Sequence, residues 1–297
     1  MDSKNPAVDI IVKVLFLLNR KSGQKNMHKK IQTFFPLSLS FIRVFPKGHL
    51  YLVGGALRDI FLKRTIKDLD FVVQNISQAP LEEWLKKHGT VRFIGTRFGV
   101  YQFTAKKKKT ISVDIAFPRK EKKQETSQGG YREFIFDVDP HLPIEEDLCR
   151  RDFTINAMAY DVREKKIIDP FCGIKDLQKK QIRAVGIPEE RLSEDLSRIL
   201  RAIRFACELH FSIEKKTMKS ICLLAPRLQN KNNEHFIVPR ETIGKEFLKG
   251  FFADPLRCLE LYKKTGLLAV LFPEFILSKE SKKTIIYLYK KSASLKR

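Results

Sequence analysis

The chain is short of three things. It has no paired cysteine motif: Cys149, Cys172, Cys207, Cys222 and Cys258 are scattered without a C-x-x-C spacing. A thiolate zinc site is therefore not expected, and a disulfide framework does not suit so long a chain. A reducing, cytoplasmic compartment fits these thiols. It has no hydrophobic run of membrane-spanning length; Ile10 to Leu18 is apolar but short, and Lys13 interrupts it. No small-residue cleavage site follows, so no secretory signal and no membrane partner are expected. Acidic residues are the third shortage: 34 Asp and Glu stand against 57 Lys and Arg, a formal net charge of +23. The basic residues run along the whole chain rather than in a tail. Such a field attracts polyanions, and RNA, DNA and anionic membrane all qualify. Lysine-favouring codons in an AT-rich genome would produce the same excess.

The chain has 297 residues, 43% of them hydrophobic, enough for one real core and for one to three domains. Neither an internal repeat nor a low-complexity tract is visible. Residues 1–48 read as a basic, partly amphipathic extension, either a targeting or RNA-contacting segment or a loosely attached terminus. Tyr51-Leu52-Val53 is a short apolar strand broken by Gly54-Gly55. Ala56 to Leu62 is helical in pattern, and Phe71-Val72-Val73 belong to another strand. Gly99 to Thr104 and Ile111 to Phe117 are further strand candidates. Arg119 to Tyr131 is charged, ends in Gly129-Gly130, and reads as a mobile loop. From about residue 174 the pattern is helical.

Asp68-Leu69-Asp70 is the first chemical signal. Residues two apart in a strand share a face, so two carboxylates would sit side by side and repel unless a divalent cation joined them. Mg²⁺ held by carboxylates and substrate phosphates is the usual arrangement. A D-x-D alone is also what a solvated turn carries. Gly54-Gly55 open a short helix thirteen residues earlier, where backbone and helix N-terminus can approach phosphate. Arg58 could add a guanidinium contact, or pair with Asp59 or Asp68. Asp114, within Val113-Asp114-Ile115, is either a third carboxylate at the metals or a solvent-facing strand residue.

Glu194 to Leu209 reads as one amphipathic helix, with Leu192, Leu196, Ile199, Ile203 and Cys207 on its apolar side. Asp195 and Arg198 are three apart and would be neighbours. Arg201 and Arg204 continue a row of guanidiniums. The plain alternative is a solvated basic face with Glu194–Arg198 and Asp195–Arg198 pairs, each contributing a few tenths of a kcal/mol at most.

Four segments then carry a resemblance. YLVGGALRDIFLKRTIKDLDFVV, from Tyr51 to Val73, resembles the nucleotide-binding motif of class II tRNA nucleotidyltransferases and bacterial poly(A) polymerases. Arg150 to Asp161 (RRDFTINAMAYD), Asp169-Pro170-Phe171-Cys172-Gly173 and Glu194 to Phe211 (EDLSRILRAIRFACELHF) resemble that family's next three motifs, in its order and spacing. Gly266-Leu267-Leu268 and Leu271-Phe272-Pro273-Glu274 resemble the start of its helical body. The resemblance implies an α+β fold: a nucleotidyltransferase head of the polymerase-beta-like type, with a small mixed sheet at 49–173. A helical neck at 174–250 and a shortened, RNA-binding helical body at 251–297 would follow. It implies that Asp68 and Asp70 bind Mg²⁺; Asp114, from the strand reading above, is the candidate third catalytic carboxylate. Gly55, Arg58 and Arg151 would contact the phosphates or sugar of the incoming nucleotide, and Asp152 would face a ribose hydroxyl or brace Arg151. Asp195 and Arg198 would serve as a protein template for the base, and Arg201 and Arg204 would hold the triphosphate or the template helix.

Three activities are consistent with this: CCA addition to the 3′ end of tRNA from CTP and ATP, poly(A) addition from ATP alone, and a non-catalytic RNA-binding relic. Gly95-Thr96-Arg97-Phe98-Gly99 and the charged loop at 119–131 lean toward CCA addition. Three departures stand out. The body is expected to end soon after Glu274. Pro239-Arg240-Glu241 precedes Glu246 with a longer gap than the family's Arg-to-Glu spacing. Leu62-Lys63-Arg64 replaces a glycine usual after the first helix.

Overall fold

The computed structural model describes residues 28, 31–33, 35–66, 68–94, 99–106, 112–123, 134–232, 235–275, 278, 280 and 283. Residues 1–27, the Gly95 to Phe98 part of the G-T-R-F-G segment and residues 124–133 of the charged stretch lie outside them. The chain divides into two compact units, each drawn from separated stretches. The first comprises 1–119, 138–147 and 158–168; the second comprises 120–137, 148–157 and 169–297.

The first unit is built on a seven-stranded mixed sheet. In chain order its elements are helix α1 (Ser38–Val44), strand β1 (His49–Val53), helix α2 (Gly54–Phe61), strand β2 (Leu69–Gln74), helix α3 (Gln78–His88), and strands β3 (Gly89–Ile94), β4 (Val100–Ala105) and β5 (Val113–Ala116). The chain then forms β6 (Arg119–Lys123) and β7 (Phe134–Val138), which pair with each other. Helix α4 (Ile144–Cys149) precedes the last two strands of the large sheet, β8 (Ala159–Asp161) and β9 (Lys166–Ile168). The sheet order is β3-β4-β5-β2-β1-β8-β9. All pairings are antiparallel except β2 with β5.

Apolar side chains of β1 and β2 (Leu50, Leu52, Phe71, Val73) are buried, as are Leu57 of α2 and Leu81, Trp84 and Leu85 of α3. Part of the segment read as an extension belongs to this core. Phe35 is 1% exposed and its ring lies 5.1 Å from that of Phe71, while Phe41 meets Trp84 edge-on at 5.5 Å. Arg163, in the β8–β9 turn, donates to the carbonyls of Ile42, Phe45 and Gly48, satisfying acceptors at and beyond the end of α1. Aromatic burial, not charge, decides where this stretch goes.

The second unit is predominantly helical. After α5 (Gly173–Gln178) and β10 (Gln181–Ile182) come α6 (Pro188–Glu194), α7 (Ser197–Glu208), β11 (Ser212–Ile213), α8 (Lys215–Leu224), β12 (Lys231–Asn232), β13 (His235–Phe236), α9 (Arg240–Ala253), α10 (Pro255–Lys264) and α11 (Leu267–Leu271). The short pairs β10–β11 and β12–β13 interrupt the helical pattern. Helix α7 is central: Ile199, Leu200, Ala202, Ile203, Ala206 and Cys207 are all fully buried. Its Phe205 ring meets Phe153 at 5.9 Å, nearly perpendicular. At the C-terminal side, Phe247 of α9 packs on Tyr262 and Phe272 at 5.1 and 5.0 Å.

The region read as one helix from Glu194 is two. Asp195 is extended (φ −143°, ψ 102°), so α6 ends before it. Its Oδ1 accepts from the Ser197 amide at 2.9 Å, one of the orphan donors that open α7. An aspartate competes well for such amides, which is why the break falls there. The stretch read as a loop from Arg119 likewise contributes β6.

Candidate active site

In the first unit, β1 ends at Val53 and Gly54 turns the chain into α2 with φ +70°, a left-handed conformation that glycine adopts without strain. At Gly55, an added Cβ would come within 3.4 Å of the Arg58 guanidinium, so that side chain lies back over the helix start. Arg58 pairs bidentately with its neighbour Asp59, Nε to Oδ1 at 2.9 Å and Nη2 to Oδ2 at 3.0 Å. This is one of the two pairings the sequence leaves open.

The carboxylates come together through register. In the parallel β2–β5 pair, Asp70 stands opposite Asp114. Gln102 of β4 faces Asp114, and Val53 of β1 faces Asp70, so the row crosses four strands on one face. Asp70 and Asp114 are half-buried, and Asp68, just before β2, is exposed. Burial pushes the Asp114 carboxyl above the usual range, and the charge of Asp68 adds to the rise. Among the described residues no three His, Cys, Asp or Glu side chains are grouped so that they could hold a metal ion.

In the second unit the other predicted residues form a network along α7. Asp152 is buried and its carboxylate is occupied on both sides. Oδ1 accepts from the Phe153 amide at 2.7 Å and Asn156 Nδ2 at 3.1 Å; Oδ2 accepts from Arg201 Nε and Nη2 at 2.9 and 2.6 Å. Burial alone would raise this carboxyl, but the Arg201 guanidinium and these hydrogen bonds outweigh it and hold Asp152 down to about 2. The structure therefore braces Arg201, not Arg151, with Asp152. Arg151 donates to the Asn156 carbonyl at 3.4 Å.

Arg198 is buried and held by Glu194 Oε2 at 2.8 Å, the Arg191 carbonyl at 2.9 Å and the Arg150 carbonyl at 3.1 Å. Asp195 is directed to the Ser197 amide, and burial raises its carboxyl above the usual range against the pull of Ser197 and Arg198. Arg204 donates from Nε to Glu246 at 2.5 Å and from Nη1 to Glu208 at 3.0 Å, and its guanidinium lies 4.0 Å from the Phe205 ring centre. Glu246 is the partner that the altered Arg-to-Glu spacing obscures. The Asp169-to-Gly173 segment is a helix cap: Asp169 accepts from the Gly173 and Ile174 amides at 2.6 and 3.0 Å, opening α5.

Comparisons with known proteins identify the family. The poly(A) polymerase head domain matches residues 50–183, and a domain described as the probable RNA and SrmB-binding site of polymerase A matches residues 210–277. The multifunctional CCA protein of Neisseria gonorrhoeae is 37% identical over 226 residues, which is 75% of this chain and 50% of that protein. That of Haemophilus ducreyi is 34% identical over 229 residues, 76% of this chain and 50% of its own length. Among solved structures, the Bacillus stearothermophilus CCA-adding enzyme in complex with CTP matches with a TM-score of 0.63 at 30% identity, over 84% of this chain and 55% of that one. The Thermotoga maritima CCA-adding enzyme complexed with tRNA matches with a TM-score of 0.61 at 26% identity, over 79% of this chain and 50% of that one. The chain belongs to the family of tRNA nucleotidyltransferases and bacterial poly(A) polymerases. It spans about half the length of the curated relatives it matches.

Proposed function

We propose that this protein extends the 3′ end of RNA, adding CCA to tRNA from CTP and ATP with release of pyrophosphate. The observation that carries the reading is the register placing Asp70 opposite Asp114, with the charge of Asp68 felt at Asp114. Solved relatives named as complexes with CTP, with ATP and with a primer tRNA support the choice of substrates. The carboxylates fit a divalent cation, because a cation offsets the burial that chiefly raises Asp114 and relieves the repulsion from Asp68 that adds to it. Asp68 and Asp70 would hold Mg²⁺ beside Asp114. A cation held there would supply acidification of the RNA 3′-hydroxyl and neutralisation of pyrophosphate charge.

The chain's own residues do the rest. Gly54-Gly55 and the start of α2 accept phosphate closely, and Arg58 adds a guanidinium. Arg151 contacts the nucleotide, and Arg201, braced by Asp152, adds positive charge for the triphosphate. Asp195 accepts from the exocyclic amine common to cytosine and adenine, and Arg198 donates to their ring acceptors. Guanine and uracil place a carbonyl and a ring N–H there, so acceptor meets acceptor and donor meets donor, and they are rejected. Arg204, tied to Glu246, stiffens the template helix. The reading assigns the head to 49–173, the neck to 174–250 and the RNA-gripping body to 251–297. Five free thiols suit a reducing cytoplasm.

The test is incorporation by purified protein on a tRNA transcript lacking CCA, with Mg²⁺ and each nucleoside triphosphate singly and together. The expected product stops after C, C and A. A long A tail from ATP alone would establish poly(A) addition instead, and no incorporation with intact RNA binding would point to a relic or to a missing partner.

A further inference from the structure

The second unit contains a carboxylate that the proposed chemistry leaves without a role. Glu121 stands on β6, and its side chain is 12% exposed. Oε1 accepts from Arg150 Nη1 at 2.6 Å, and Oε2 lies 3.7 Å from Arg198 Nη2. Arg198 thus sits between two carboxylates, Glu121 and Glu194, and two carbonyls, those of Arg150 and Arg191. Glu194 and Arg191 belong to α6, next to α7 in the chain. Glu121 comes from a strand far away in sequence, so it ties the guanidinium to an independent element.

The electrostatics give this tie a direction. Arg150 and Arg198 are both at low exposure, 19% and 7%, and share the Glu121 carboxylate. Without it, two cations would remain near each other, and among the described residues Glu194 would be the remaining carboxylate paired with Arg198. Arg198 would then keep its carboxylate contact on the α6 side only, and a planar fork that reads a base edge tolerates little misorientation. We propose that Glu121 is a positioning residue for base selection, fixing the pose in which Arg198 meets the incoming base. This rests on the base-reading role proposed for Arg198.

The test compares CTP and UTP, by equilibrium binding and by single-nucleotide incorporation, on wild type, Glu121→Gln, Arg198→Ala and the double variant. Glu121→Gln should lose about tenfold in preference for CTP over UTP, mainly through KM, with a melting temperature close to wild type. In the Arg198→Ala background it should change the preference no further, because the effect passes through Arg198. Unchanged preference in Glu121→Gln, or effects that simply add, would overturn the inference. A wild type that does not discriminate would overturn the base-reading role itself, a separate failure. Should the Gln variant unfold, Glu121→Asp carries the test: it keeps the charge on a shorter stem, so a partial loss is expected and full wild-type preference refutes the idea.

Discussion

Asp70 is half-buried at the end of a strand whose neighbours are apolar and tightly packed. Removing its carboxylate deletes a charge and leaves the sheet ladder whole. Asp70→Ala should therefore abolish nucleotide incorporation with little change in thermal midpoint, and normal incorporation by this variant would sink the metal assignment. Asp152 makes a different prediction. Its folded pKa, about 2, lies below the usual value for an unfolded aspartate, about 3.9. A depressed carboxylate contributes stability above the unfolded pKa and loses it as pH falls through the folded one. Arg201 is 36% exposed, so solvent screening trims the contribution to about 1–2 kcal/mol. Denaturant midpoints measured from about pH 4 down to about pH 2 should show that loss in wild type and not in Asp152→Asn. Equal losses in both would contradict it.

Among the elements, α7 carries the most consequence. Two of its arginines, Arg198 and Arg204, are buried, which a helix tolerates only when each guanidinium is paired. The Arg204–Glu246 pair joins α7 to α9, with both side chains about one-tenth exposed. Glu246→Ala leaves a buried cation with only Glu208, itself 27% exposed, as a carboxylate partner. The expected cost is about 3 kcal/mol by chemical denaturation. A loss below about 1 kcal/mol would mean that Arg204 finds solvent instead. The start of α7 has its own device. Asp195 ends one helix and its carboxylate accepts from the first amide of the next, so the residue proposed to read a base is also held by backbone.

The chain as a whole carries a formal charge of +23 and, among the described residues, no helix long and apolar enough to cross a membrane. A polyanion partner bound through that charge releases counterions, so affinity for tRNA should fall steeply with salt, on the order of a thousandfold between about 50 and 200 mM. Filter binding across that range checks it, and a flat response would show that the charge is not used for RNA.

Much of this was legible in residue order. Gly54-Gly55 announced the turn because few other residues take a left-handed φ there, and the Asp68-Leu69-Asp70 spacing supplied the carboxylates on which the proposed metal site rests. The motif order from Tyr51 to Phe211 identified the family, since local turn and strand chemistry is written in adjacent residues. What adjacency does not encode is which distant strands and helices meet. The placing of Asp114 opposite Asp70 depends on parallel register across a crossover. The burial of Phe35 against Phe71 depends on the core having room for it. Asp152 braces Arg201 rather than its neighbour Arg151, and Glu121 and Glu246 reach Arg198 and Arg204, because packing brings those charges together at low exposure. There an unpaired ion is too costly to leave, and the partner is whichever opposite charge the fold delivers.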